Sequence, residues 1–203
     1  PPGVGKTYTA AFIIIELLKK EKKIGITAQS HKIIFNLLKK IEELSLKDKF
    51  SFKGFHKPGT DKDKRFEGGN FIKNTGRVKT GPKKWEWEDQ MKVEFSKMNA
   101  DLFSGTAWCF TGVNNRNLPF PDQKPVCDQK LDYIFIDEAG QLSIADIVAI
   151  SLSAKNVVII GDQMQLSSPT SALHPGKSGE SAPEYLLENQ DTISPDKGIF
   201  IDK

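Results

Sequence analysis

Cysteine is scarce in this chain, with two residues, Cys109 and Cys127, among 203. They form neither a paired metal-binding spacing nor a disulfide framework. They read as buried or bystander thiols, and their scarcity points to a reducing, cytoplasmic compartment. Long apolar runs are also missing. The greasiest stretch, Ala10–Leu18, falls short of the roughly 18–20 residues of a membrane span and has the spacing of an amphipathic helix. No secretory leader is visible, no internal repeat is found, and no membrane partner is expected. Hydrophobic residues make up 38%, enough for a buried core and too many for global disorder.

Net charge is small but unevenly placed. Ser45–Lys84 holds twelve Lys or Arg against four Asp or Glu, a local net of +8 in a chain totalling +3, so the remainder stands at −5. A basic block on a mildly acidic body suggests a polyanionic partner; a solvated insertion is the alternative.

Periodicity divides the chain. Tyr8–Lys20 reads as a helix ending in lysines, and Ile24–Ala28 as a short buried strand. Ser30 caps a second helix with Ile33, Ile34, Leu37, Leu38, Ile41 and Leu44 on one face. The pattern fails from about Ser45 to Lys84, which reads as an insertion rather than sheet core. Trp85–Met98 reads as a helix, Leu102–Phe110 and Asp132–Asp137 as strands, and Gly112–Gln129 as a loop. Ser143 caps a helix to about Ser153, Val157–Gly161 is another buried strand, and Ser167–Gly179 is a polar loop. Pro183–Asn189 reads as a short helix and Gly198–Ile201 as a final strand. Strands alternating with helices imply an α/β fold, with a mostly parallel sheet and helices on both faces. Residues 1–44 and 99–203 read as the two parts of this domain, and 45–98 as a basic insertion.

The opening Pro1-Pro2-Gly3-Val4-Gly5-Lys6-Thr7 matches the end of a phosphate-binding P-loop, Gly-x-x-x-x-Gly-Lys-[Ser/Thr]. Such a loop, here Pro2, Gly3, Val4 and Gly5, wraps phosphates: Gly3 and Gly5 let the backbone turn its N–H groups inward, and its helix adds a positive end. Lys6 would reach the β- and γ-phosphates of ATP, and the Thr7 hydroxyl would bind Mg2+. The first glycine of the pattern is absent, so the N-terminus reads as a cut within the loop. Downstream, Tyr133–Ile136 is an apolar strand ending in Asp137 and Glu138. A carboxylate at a strand's carboxyl end beside such a loop holds magnesium, the role of Asp137. Glu138 would orient or deprotonate the attacking water.

These residues and the runs around them resemble superfamily 1B helicases, the group related to the nonsense-mediated-decay helicase and the Okazaki-fragment nuclease-helicase. Asp137-Glu138-Ala139-Gly140-Gln141 fits the group's DEAxQ signature. Gly161-Asp162-Gln163-Met164-Gln165-Leu166 is similar to its motif III, Thr27-Ala28-Gln29-Ser30-His31 to motif Ia, and Ser104-Gly105-Thr106-Ala107-Trp108 to motif Ic. Ser104–Lys203, with His174-Pro175-Gly176 and Glu184-Tyr185-Leu186-Leu187, is most similar to bacterial helicases linked to a RecB-like nuclease. Ser167-Ser168-Pro169 departs from the prolines that often follow motif III. The resemblance implies the first RecA-like P-loop domain of an ATP-dependent helicase acting on single-stranded DNA or RNA, with 5′-to-3′ polarity. Gln165 would sense the γ-phosphate alongside Asp162, and Gln141 would link the acidic motif to motif III. Ser30, His31 and Thr106 would touch the sugar-phosphate backbone, although His31 also reads as a partly exposed helix residue. Trp108, in an apparent apolar strand, fits the core better than base stacking.

A second RecA-like domain carrying the arginine finger is the expected partner within the same polypeptide, and a fused nuclease domain is a further one. Neither is present here. By itself the chain is expected to bind nucleotide weakly and to hydrolyse almost none. The runner-up is a nucleic-acid-dependent P-loop ATPase, a clamp or remodeller, that unwinds nothing. A binding module without catalysis would not need Lys6, Thr7, Asp137, Glu138 and Gln165 together, and a nucleotide kinase would not need the DEAxQ and motif III pair.

Overall fold

The computed structural model describes residues 5–59, 64–79, 87–111, 129–161 and 180–187. Its first helix, α1 (Lys6–Lys19), turns Ala10, Ala11, Ile14, Ile15 and Leu18 into the core, the spacing of one helical face. Strand β1 (Ile24–Thr27) is buried at every residue. Ser30 then accepts the Ile33 N–H at 3.4 Å and starts α2 (His31–Lys47), which packs against α1.

Next come β2 (Gly54–His56), β3 (Ile72–Asn74), β4 (Arg77–Lys79), β5 (Trp87–Asp89), α3 (Gln90–Lys97), β6 (Leu102–Ser104) and α4 (Ala107–Thr111). They are followed by β7 (Leu131–Ile136), α5 (Ile144–Ser151), β8 (Ala154–Ile159) and α6 (Ala182–Leu187). Six strands form one all-parallel sheet in the order β3-β2-β6-β1-β7-β8, and β4–β5 is a separate antiparallel pair. Ile24, Ile26, Leu102 and Phe135 pack under α1 and α2. Phe55, Phe103, Ile134 and Ile136 face the other way, with Cys109 and Phe110 of α4 and Ile147 and Ile150 of α5. The α/β expectation thus holds as an all-parallel main sheet covered on both faces.

Four expectations change. The strand expected to be buried over Val157–Gly161 is β8, which runs Ala154–Ile159 and is largely uncovered because it is outermost in the described sheet, flanked by β7 alone. The basic stretch is not wholly outside the sheet, since β2 and β3 extend it beyond β6. Each has three residues, too few for alternation to show in a sequence rich in lysine and glycine. The buried Glu42 carboxylate of α2 anchors this extension by accepting the N–H groups of Asn70, Phe71 and Ile72 at 2.8, 3.0 and 2.9 Å. The strand expected over Leu102–Phe110 ends at Ser104 and becomes helix after Gly105 and Thr106, where the Thr106 carbonyl accepts the Cys109 N–H at 2.8 Å. Within Trp85–Met98, the described part begins with β5 before α3. The loop 112–128, the polar loop near 167–179 and the strand expected at Gly198–Ile201 lie outside the described residues. Among those described, no helix is long and apolar enough to cross a membrane.

The amino rim of the sheet is laced together. Lys23 Nζ donates to Ala100 O (2.9 Å) and Asp101 Oδ1 (3.0 Å), while Asp132 accepts the Lys23 N–H (2.9 Å) and Lys155 Nζ (3.0 Å). At the carboxyl rim the chain leaves β1 toward β2 beneath one face and leaves β7 toward β8 beneath the other. Adjacent strands whose connections diverge open a crevice at their carboxyl ends, the usual ligand position in such sheets.

Candidate functional site

Gly5 precedes α1 with φ 84°, ψ 11°, a left-handed conformation that glycine adopts without a Cβ penalty. A substitution there would be strained by the backbone even though the space beside it is open. Gly5 thereby sets the first turn of α1, with Lys6 and Thr7 as its opening residues. No side chain caps this end of the helix, so its amide groups and positive dipole suit an anion.

Across the crevice, Asp137 follows β7 and is 6% exposed. Its N–H donates to Thr27 O at 2.9 Å, fixing it beside the end of β1. Burial pushes the Asp137 carboxyl up to about 6. The Glu138 N–H, donating to Asp137 Oδ1 at 3.0 Å, opposes that rise, the charge of Glu138 adds to it, and the Lys6 ammonium opposes it. Lys6 and Asp137, 131 positions apart in sequence, therefore lie within each other's electrostatic reach.

Glu138 has φ 51°, ψ 46°, a left-handed conformation uncommon for a non-glycine residue and frequent at functional sites. Among the described residues, its Oε2 and the Thr27 hydroxyl are buried polar atoms without a hydrogen-bond partner. Buried polar atoms are nearly always paired, so two such atoms at one crevice fit a site that receives a polar ligand. Thr27 carried no assigned role in the sequence reading; its hydroxyl becomes notable only through its burial at the end of β1.

The turn Ala139–Gln141 follows directly, its Gln141 half-buried. The Ala139 N–H donates to Ile160 O at 2.9 Å, which ties the acidic turn to the end of β8, and Gly161 lies beside Gly140. The chain thus enters 162–166 from a point adjacent to Asp137–Gln141. Pro2, Gly3, Val4, Asp162, Gln165, Cys127 and His174 lie outside the described residues.

The residues expected to meet a nucleic-acid backbone share the same rim. Ser30 and His31 follow β1, and Thr106 follows the adjacent β6. Ser30 and Thr106 are half-buried, and His31 is the half-buried first residue of α2. Trp108 corrects the core expectation. It stands on α4 at 80% exposure while its neighbours Cys109 and Phe110 fill the core. An apolar run with Trp108 in it looks like a strand, but the Gly105-Thr106 break starts a helix and turns the indole outward.

Sequence inspection also missed His56. Fully buried at the end of β2, it places Nε2 3.1 Å from His31 Nδ1 and Nδ1 3.0 Å from Ser104 Oγ. Burial first, then the nearby His31, lowers His56 to about 3, against the Lys64 backbone, so its imidazole is neutral near pH 7. Among the described residues no group of three His, Cys, Asp or Glu side chains converges. Thr7 and Asp137 carry a hydroxyl and a carboxylate, donor types that Mg2+ accepts.

Comparison with known proteins adds no family: no protein-family model matches the chain, and no curated protein matches it.

Proposed function

We propose that this chain is the ATP-binding, RecA-like domain of a superfamily 1 helicase or translocase that acts on single-stranded nucleic acid. One observation carries the reading. Lys6, at a helix start set by a left-handed Gly5 with no side-chain cap, is near enough for its charge to bear on the buried Asp137 at the carboxyl end of a central parallel strand. In the expected P-loop pattern this pairing holds a nucleotide triphosphate and its metal.

The chemistry assigned to the site follows from its residues. Lys6 and the α1 amide groups neutralise phosphate charge, and Thr7 with Asp137 would hold Mg2+. The metal would supply charge neutralisation at the β- and γ-phosphate oxygens. Glu138, with Oε2 unpartnered, orients a water for attack on the γ-phosphorus and takes its proton. The bond to the β–γ bridging oxygen breaks, giving ADP and inorganic phosphate. Asp162 and Gln165 would report the γ-phosphate to Gln141. Ser30, His31 and Thr106 would carry that report to the strand. The second RecA-like domain, which would supply an arginine worth roughly 10³–10⁵ in rate, belongs to this proposal as a partner.

The test is titration of the chain with a fluorescent ATP analogue in magnesium. Wild type and Glu138→Gln bind alike, and Lys6→Ala and Asp137→Asn lose the magnesium-dependent signal. In a polypeptide joined to its second domain, Glu138→Gln abolishes phosphate release stimulated by single strands. Undiminished binding in Lys6→Ala would remove the ATP site from the proposal.

A further inference from the structure

His56 is an unusual residue to bury completely. Both ring nitrogens are engaged, by His31 Nδ1 at 3.1 Å and Ser104 Oγ at 3.0 Å, and Phe35 closes the pocket edge-on at 5.1 Å from the ring centre. Ser104, also fully buried, has a second partner in Phe55 O at 3.3 Å. Parallel pairing of β2 and β6 sets His56 opposite Ser104, so the contact is built into the sheet. The backbone of β2 is held too, with the Thr75 N–H donating to His56 O at 2.8 Å.

The direction of this chain of bonds depends on the charge of His31. With both imidazoles neutral, it can run either way. When His31 is protonated it must donate from Nδ1, so His56 accepts at Nε2, donates from Nδ1 to Ser104 Oγ, and the Ser104 hydroxyl donates to Phe55 O. These four groups are then paired in one direction, and the Lys64 backbone is a further partner of the His56 ring. Two imidazolium rings whose facing nitrogens are 3.1 Å apart repel, so the pair holds one proton. The fully buried ring would lose its hydration on charging, whereas His31 is half-buried at the rim.

We propose that Ser104 and His56 form a buried positioning relay that steadies the His31 imidazolium at the carboxyl rim, where it meets the phosphates of a single strand. This rests on the nucleic-acid reading above. Among the described residues the nearby cations are Lys32, next to His31 on α2, Lys57, next to His56, and Lys64, whose side chain sits against Gly59 along with His31 Nε2. They oppose a proton on His31, and a phosphate reverses that balance. The strand therefore binds more tightly as pH falls through the His31 midpoint, and Ser104 helps to set that midpoint.

The experiment uses the whole chain with ¹⁵N-labelled histidine. Ring ¹⁵N spectra are followed from about pH 5 to 8, with and without a fluorescein-labelled single strand whose affinity is read by anisotropy. In wild type, His31 takes the proton and His56 stays neutral. Ser104→Ala removes the acceptor for the His56 Nδ1 proton. It lowers the His31 midpoint by about 0.5–1 unit and weakens strand binding about threefold to tenfold near pH 6, with little change at pH 8. Ser104→Thr restores both. Ser104→Cys, close in size but a much weaker acceptor, shifts the midpoint in the same direction if the alanine variant does not fold. An unchanged His31 midpoint in these variants, or a proton residing on His56, overturns the relay even if strands still bind. Absence of strand binding at every pH, with the midpoint following Ser104, supports the relay and withdraws the nucleic-acid reading instead.

Discussion

An ionised carboxylate at 6% exposure with a single N–H partner among the described residues has given up most of its hydration, and Asp137 is in that position. Its folded-state value of about 6 lies above the ordinary 3.8, so the contribution favouring the fold is complete below about pH 4 and is lost as pH rises through 6. At neutral pH the charge costs the unliganded chain about 1–3 kcal/mol. Asp137→Asn keeps the acceptor for the Glu138 N–H and should raise stability by that amount at pH 7. In urea unfolding the gain should shrink toward zero near pH 4. A neutral or destabilising effect at pH 7 would show that the charge is already compensated inside the fold. His56 works in the opposite sense. Depressed from 6.5 to about 3, it supports the fold above pH 6.5 and withdraws that support as the medium acidifies. Asp137→Asn should therefore lose stability more steeply than wild type between pH 6 and 4.

The elements differ in what holds them. Strand β3 depends on one side chain from another element: Glu42 accepts three consecutive backbone N–H groups at its entry. Glu42→Ala strands those donors and should cost about 3 kcal/mol, with amide exchange accelerating first in β3 and β2. Uniform exchange across the sheet would show that the anchor is not local. Helix α4 gives the reverse case. A core tryptophan replaced by alanine typically costs about 3–5 kcal/mol, but Trp108→Ala should cost less than about 0.5 kcal/mol because the indole is 80% exposed. The sequence is legible where apolar spacing persists, as in α1, α2, β7 and α5, and where one residue type has one purpose, as with Ser30 and Ser143 at helix starts. It is opaque at β2, β3 and α4, whose three to five residues are too short to show a period. The candidate site divides the same way. Lys6 and Asp137 stand out through a recognisable spacing. His56 is one polar letter in a lysine-rich stretch, and its meaning depends on the register between β2 and β6.

At the scale of the whole molecule, the basic stretch is partly structural, so its lysines should be tested as a field rather than as a loop. Replacing Lys57, Lys64 and Lys73 with glutamine should weaken single-strand binding for all sequences alike. It should also flatten the slope of log affinity against log salt by up to about 0.7 per lost contact. An unaltered slope would place the strand elsewhere. The two rims of the sheet, meanwhile, are unlike. Lys23, Asp101, Asp132 and Lys155 close the amino rim on itself, while Thr27 and Glu138 leave buried polar atoms unmatched at the opposite one. Damage to the chain should therefore come in two kinds that rarely coincide. In a saturation library scored separately for cellular abundance and for nucleotide binding, replacements at Lys23, Asp101 and Asp132 should deplete the protein itself. Replacements at Lys6 should leave abundance intact and remove nucleotide binding alone.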